Sequence, residues 1–375
     1  MENDKQPGAF SFMTEPLLGI YIHIPFCRKL CAYCDFVRYP FEEALCEAFL
    51  KALCVEIASF EGPTRAKTLF LGGGTPSILT ERQLESLFSC LFKIFEFSSP
   101  EISMEVNPDD VTAASVQHWE RIGVNRVSIG VQSFDDATLS KMERRHDAKG
   151  ALHAIDLVAG HFNNWGIDLI YGASTKHAWQ ETLNITDSLS PPHVSSYALS
   201  YIPGTPMYNA TRARMEDDTV LQLYQDAESM LARYEHYEIS NFALAGFQCR
   251  HNLIYWKNEC YAGFGPGAYS FVDRIRMANP PDLKDYVEYP GRKAEVTQID
   301  LFDEEVETLI QHFRLREGIS PGYYEKRFCE SMDKNFGAPL RILMERGLLE
   351  SHEGRIRPTA QGFYLNDEIG LLLVK

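Results

Sequence analysis

Cys27, Cys31 and Cys34 lie in the run Tyr21-Ile-His-Ile-Pro-Phe-Cys-Arg-Lys-Leu-Cys-Ala-Tyr-Cys-Asp-Phe36, with C-x3-C-x2-C spacing. Three thiolates on one short loop can hold three irons of a cubane [4Fe-4S] cluster, whose ordinary ferredoxin form takes four cysteines. The fourth iron is then open to the amino and carboxylate groups of S-adenosylmethionine. One electron from the cluster can split that sulfonium and release a carbon radical. The competing reading is a structural zinc knuckle, or three cysteines placed in a core. Zinc sites usually show paired C-x2-C elements and a fourth ligand nearby, and none is evident. Tyr21, Phe26, Tyr33 and Phe36 would wall a cluster from water and tune its potential.

Further along, Leu71-Gly-Gly-Gly-Thr-Pro76 follows an expected strand and precedes a helix, so residues without Cβ expose backbone to a ligand at close range. The methionine moiety is the expected guest of Gly73, Gly74 and Thr75. Glu105, in Glu105-Val-Asn-Pro108, ends the next strand where a carboxylate can accept bonds from both ribose hydroxyls; its plainer role is a helix cap. Gln132 sits at the following strand end with an amide suited to polar groups of the cofactor. Arg144 offers a planar fork for the cofactor carboxylate, and Asp168 in Asp-Leu-Ile-Tyr-Gly172 continues the series. Taken singly each could be structural; their order along successive strands is what points to a site.

The elements that must position these residues are strands Gly19 to Ile24, Thr68 to Leu71, Ile102 to Val106, Arg126 to Val131, Ile167 to Tyr171 and Val194 to Leu199, alternating with amphipathic stretches. That alternation predicts an α/β fold, a partial (β/α)6 TIM-like barrel with its site at the carboxyl ends of the strands and a cleft for a large substrate. A polar helix is expected over Glu216 to Arg233. The expected division is an N-terminal segment 1–17, the barrel with its extension over 18–278, a proline- and glycine-rich linker over 279–300, and a small winged-helix-like domain over 301–375. In that last part three short helices precede two strands around a turn at Glu353-Gly354. A packing or lid role suits the wing better than DNA binding.

Composition narrows the partners. A formal net charge of -16 over 375 residues argues against nucleic acid, which clustered Lys and Arg would grip; Arg144-Arg145-His146 or Arg274-Ile-Arg276 could contribute to a local basic groove. No apolar run is long enough to span a membrane, and Met1 to Glu15 lacks the pattern of a signal peptide. Nine cysteines, an odd number without framework spacing, fit a reducing compartment and a cytoplasmic location.

With these motifs in hand, the chain resembles the oxygen-independent coproporphyrinogen III oxidase-like family of the radical SAM superfamily, and within it the heme-chaperone group. Tyr-Ile-His-Ile-Pro-Phe-Cys, Gly-Gly-Gly-Thr-Pro-Ser, Glu-x-Asn-Pro, Val-Gln-Ser-Phe and Asp-Leu-Ile-Tyr-Gly run in the family's order over nearly the whole chain. The resemblance implies a three-cysteine cluster, and S-adenosylmethionine contacts from Tyr21, Gly73, Gly74, Thr75, Glu105, Gln132, Arg144 and Asp168. It also implies heme as a further cofactor. Cys249-Arg-His-Asn-Leu-Ile-Tyr-Trp256 matches the group's H-N-x-x-Y-W motif, with His251 as axial ligand, Cys249 as a weaker alternative, and Tyr255 and Trp256 packed against the macrocycle. Gly263-Phe-Gly-Pro-Gly267 would let backbone approach the ring.

Two functions of different class compete within this resemblance: a carrier that passes heme to an acceptor, such as a membrane respiratory protein, and an oxidase that decarboxylates coproporphyrinogen III propionates. The oxidase group resembles C-x3-C-x2-C-x-C with a longer N-terminal segment, whereas Phe36 stands at the fourth position here, which favours the carrier. A third reading, an RNA-modifying radical enzyme, suffers from the acidic balance. Ser174-Thr-Lys176, Ile202 and Met142-Glu143 depart from the family's usual residues near the expected cleft.

Overall fold

The structure, a computed structural model, describes residues 16–210 and 214–374. The expected N-terminal segment therefore lies, up to residue 15, outside the described residues. Strands Leu18–Ile24, Arg65–Gly73, Glu96–Val106, Arg126–Gln132, Trp165–Tyr171 and His193–Ala198 pair in parallel in that order. Each contains or closely overlaps an expected strand. They form the middle of one twelve-stranded sheet whose order is linear, so the barrel is open. Tyr261–Phe264 adds in parallel to the first strand, and Asn241–Ala243 adds antiparallel to the sixth.

Alternation within the strands explains how the same residues build both core and site. On the fourth strand Val127, Ile129 and Val131 are fully buried in the apolar core that the sheet shares with its helices. The intervening Arg126, Ser128, Gly130 and Gln132 line a cavity inside the barrel. A period of two is all this requires. Crossover helices Glu43–Ala58, Glu81–Ile94, Ala113–Arg121, Ala148–Ala159 and Lys176–Leu189 close the outer face. Four of them start where the side chain of Thr80, Thr112, Asp147 or Thr175 accepts a backbone N–H of the first turn, which fixes where each strand's loop ends.

The stretch expected as a linker is structured and fastened to the barrel. Residues 279–300 contain helix Leu283–Glu288 and strand Glu295–Gln298, the latter paired antiparallel to Ile275–Ala278 at the sheet edge. Their anchor is Glu56, 2% exposed on the first crossover helix. It accepts from the Gly265 N–H at 3.0 Å, Asn279 Nδ2 at 2.7 Å, the Tyr286 hydroxyl at 2.7 Å and Lys293 Nζ at 2.9 Å. Proline and glycine mark turns, but a buried carboxylate supplied from more than two hundred positions earlier leaves no local trace.

Beyond residue 300, helices Leu301–His312, Pro321–Phe328 and Met332–Glu345 precede the hairpin of Leu349–His352 and Arg355–Pro358. Helices Ala360–Tyr364 and Asn366–Leu373, not anticipated from the sequence, follow. This part has its own apolar cluster around Leu309, Phe313, Tyr324, Phe336 and Leu343. It grips the barrel through Arg327, which donates to the carbonyls of Lys257 at 3.0 Å and Asn258 at 2.7 Å.

Candidate functional site

Cys27, Cys31 and Cys34 are free thiols on the loop that leaves the first strand, and all three line a cavity of about 440 Å³ inside the open barrel. None of the other six cysteines lines it. The loop is tied down where the Ala32 N–H donates to the Met142 carbonyl at 3.4 Å and the Ala32 carbonyl accepts from the Met207 N–H at 3.0 Å. The Thr75 hydroxyl donates to Cys27 Sγ at 3.4 Å, and Arg144 donates to Cys31 Sγ at 3.4 Å. Burial pushes the Cys27 and Cys34 thiols up, with the Thr75 hydroxyl and Arg38 opposing at Cys27 and the Phe36 backbone and Arg38 at Cys34. Binding to metal offsets that desolvation with the ion's own charge.

Among the described residues, no three His, Cys, Asp or Glu side chains gather as a single-ion site requires. A zinc knuckle needs sulfurs converging at about 2.3 Å on one atom, whereas a cubane takes one thiolate on each of several irons. The donor set fits the cluster, with three thiols on one cavity wall. Phe36 stands where a fourth would be, 60% exposed at the mouth.

The glycine turn lies beside these thiols. The Gly74 N–H donates to the Ile24 carbonyl at 2.8 Å, which joins the turn to the strand that carries the cysteine loop. A Cβ on Gly74 would stand 2.7 Å from the Phe26 carbonyl oxygen and 2.8 Å from that of Ile24, both backbone atoms. Gly73, at φ +106°, donates its N–H to Glu105 Oε2 at 3.1 Å. Gly73, Gly74, Thr75, Glu105, Gln132, Arg144, Asp168 and Tyr33 all line the cavity, so the structure brings together most of the residues expected from the sequence. Gln132 is held at φ +68° where the fourth strand's register slips, a left-handed conformation that a side chain this long seldom adopts without a reason.

Other expectations change. The Arg144 fork is partly committed to protein, donating to Asn107 Oδ1 at 2.6 Å and the Gly130 carbonyl at 2.7 Å, so only its other arm, near Cys31 and Tyr33, faces the thiols. Tyr21 is not among the lining residues; its hydroxyl bonds His23 Nδ1 at 3.1 Å and its ring stands beside Phe70 and His251. His251, read as a heme ligand, is 1% exposed. Its Nδ1 bonds the Thr68 hydroxyl at 2.7 Å and its Nε2 the Tyr255 hydroxyl at 2.9 Å, and Phe70 stacks on the ring. As placed, neither nitrogen is free for iron. Cys249 is fully buried as well. A Cβ on Gly263 would come within 2.2 Å of the Tyr269 carbonyl oxygen and one on Gly265 within 2.4 Å of that of His23, so these glycines serve strand packing rather than approach to a ring.

Sequence reading missed Arg126, Ser128, Ser195, Asn107 and Asn252, all cavity-lining. The signal was present in Arg126-Val-Ser-Ile-Gly-Val-Gln132, where polar residues and glycine alternate strictly with apolar ones. From the H-N-x-x-Y-W motif it is Asn252, not His251, that reaches the cavity.

Glu105 carries a testable charge. Burial, with Asp168 close by, pushes its carboxyl from an ordinary 4.5 up to about 8, against the Gly73 N–H and Arg126. Asp168 is raised by burial too, with Ser195 and Ser128 opposing; the Ser128 hydroxyl lies 3.0 Å from its Oδ1. A carboxyl whose folded pKa exceeds its unfolded one contributes stability that is complete below the unfolded value and is lost as pH rises through the folded one. Ligand-free protein is therefore expected to lose thermal stability between about pH 5 and about pH 8, and Glu105→Gln to flatten that slope in thermal melts. Parallel pH profiles for the two proteins would contradict the assignment.

Residues 21–184 match the Radical SAM superfamily, and residues 302–365 match the HemN C-terminal domain. The chain is 34% identical over 371 residues to the heme chaperone HemW of Bacillus subtilis, covering 93% of this chain and 97% of that protein. It is 32% identical over 319 residues to the Escherichia coli heme chaperone HemW, covering 80% and 84%. Among solved structures, the coproporphyrinogen III oxidase HemN of Escherichia coli, described as a radical SAM enzyme, superposes with a TM-score of 0.84 at 24% identity, covering 96% of this chain and 90% of that one. That likeness establishes the shared fold. Among the described residues, no helix is long and apolar enough to cross a membrane.

Proposed function

This chain belongs to the radical SAM superfamily, in the family of the heme chaperone HemW, and we propose that it is a cytoplasmic carrier that binds heme, holds a [4Fe-4S] cluster with S-adenosylmethionine, and hands heme to an acceptor protein. The supporting observation is the set of three thiols on one cavity wall beside the Gly73-Gly74-Thr75 turn, with Phe36 at the fourth position. When bound, the cluster and S-adenosylmethionine together supply one-electron cleavage of a sulfonium.

The chain's own residues bind and orient. Cys27, Cys31 and Cys34 would hold the cluster, with the Thr75 hydroxyl and Arg144 donating to the Cys27 and Cys31 sulfurs. Gly73, Gly74 and Thr75 would cradle the methionine end, and Glu105 in its charged form would accept from the ribose hydroxyls. Gln132, Asp168 and Tyr33 complete the wall, with Tyr21 behind it. A cavity of this size suits one nucleoside-sized ligand, so the macrocycle of heme belongs at the mouth or follows an opening. His251 can bind iron only after turning from Thr68 or Tyr255, which makes heme ligation a conformational event rather than simple docking.

The test is anaerobic reconstitution followed by heme titration and a coproporphyrinogen III turnover assay on the same sample. The carrier reading expects stoichiometric heme binding and no decarboxylation; sustained loss of carbon dioxide from the porphyrinogen would replace it with the dehydrogenase reading. In parallel, His251→Ala is expected to change the Soret spectrum and weaken heme binding. An unaltered spectrum and affinity would remove His251 from the iron.

A further inference from the structure

Arg126 begins the fourth barrel strand and lines the cavity at the amino-terminal end of the strands, below Glu105 and Gln132. It is 2% exposed, yet among the described residues its side chain forms no hydrogen bond and no ion pair, and its Nε is buried without a partner. Guanidinium groups buried this deeply are normally bonded to a carboxylate or a carbonyl. The nearby acids are occupied elsewhere. Glu101 accepts from the His251 N–H at 3.1 Å and from Cys249 Sγ at 3.8 Å, and Asp168 is held by Ser128. Both balance the Arg126 charge through space without bonding it.

A second orphan lies alongside. Ser103 pairs with Arg126 across the neighbouring strand, and its buried hydroxyl also lacks a partner. Asn252 and Phe70 line the same cavity. A fixed fork of donors, further polar groups and an aromatic wall suit a small planar anion with an aliphatic tail. We infer that the floor of the cavity is a receptor for an alkyl carboxylate, with Arg126 as the residue that binds it. Arg126, Ser103 and Asn252 are not among the residues assigned to the sulfonium cofactor, although Glu105 and Asp168 sense the Arg126 charge, and the proposal does not depend on the heme reading. The carboxylate could come from a free short-chain acid or, once the cavity opens to admit a macrocycle, from a tetrapyrrole propionate, and the two sources are separable.

The experiment uses the full chain, anaerobically reconstituted. Melting temperature is followed against sodium propionate and, at equal ionic strength, sodium chloride, for wild type, Arg126→Met and Arg126→Lys. Propionate is expected to raise the wild-type melting temperature above chloride. That difference should vanish in Arg126→Met and shrink in Arg126→Lys, which keeps the charge but loses the fork. A floor filled by ordered water predicts the same response to both salts, and that result, or a propionate effect that survives in Arg126→Met, overturns the receptor. The wild-type comparison decides even if the Met variant folds poorly. A second arm titrates heme and heme dimethyl ester. An Arg126-dependent preference of roughly tenfold or more for the free acid assigns the carboxylate to the tetrapyrrole, whereas a propionate effect without that preference assigns it to a free acid. If wild type binds neither porphyrin, the carrier reading fails while the propionate arm still tests the receptor.

Discussion

Replacing any one of Cys27, Cys31 or Cys34 with alanine is expected to lower iron and sulfide in reconstituted protein from about four of each per chain to below about one. The reason is geometric. The three thiols are the only cysteines on the cavity wall, so a variant has no reserve sulfur with which to complete a three-point attachment. Cys249 is sealed in the core beside Glu101, and Cys329 is exposed in the carboxyl-terminal part of the chain. Alanine at Cys329 should therefore leave both contents unchanged and serves as the control. Circular dichroism distinguishes cluster loss from unfolding. A Cys31→Ala protein that retains a full complement of sulfide would show that another ligand holds the cluster.

The largest stability effect is expected at Glu56. Alanine there removes four bonds at once and leaves Lys293 Nζ and Asn279 Nδ2 without their carboxylate. Breaking a buried ion pair from one side typically costs about 3–5 kcal/mol, because the remaining charge stays desolvated. A fall of that size in denaturant unfolding is expected, with early loss of protection in residues 279–300 by hydrogen exchange. Lys293→Met should be milder, since Lys293 is partly exposed and the neutral donors to Glu56 remain. A Glu56→Ala protein within about 1 kcal/mol of wild type would mean that the segment is held by its strand pairing alone.

The cysteine loop and Glu56 also mark what could be read in the sequence. The barrel strands were legible because each carries apolar residues at alternate positions for the helix side, as Val127, Ile129 and Val131 do. The site followed from strand order, because parallel strands place their carboxyl ends at one end of the sheet. Glu105, Gln132 and Asp168 thus converge, although they lie on three different strands far apart in the sequence. Glu56 was illegible: it sits on an otherwise ordinary amphipathic helix, and its partners come from the far end of the barrel. His251 misled for a related reason. A histidine beside aromatics reads equally as a metal ligand or as a satisfied core residue, and only the positions of Thr68 and Tyr255 show which it is in this conformation. Arg126 opens its strand, where a charge is normally solvated, and nothing local in the sequence marks it as buried.

The account rests on a cluster with one iron left open for S-adenosylmethionine, and electron paramagnetic resonance of the reduced, anaerobically reconstituted protein with and without that cofactor tests it directly. The expected result is a [4Fe-4S] signal whose shape changes when S-adenosylmethionine is added and does not change in Glu105→Ala at the same cofactor concentration. A protein that carries zinc without sulfide, or a cluster signal indifferent to S-adenosylmethionine at saturating concentration, would contradict it.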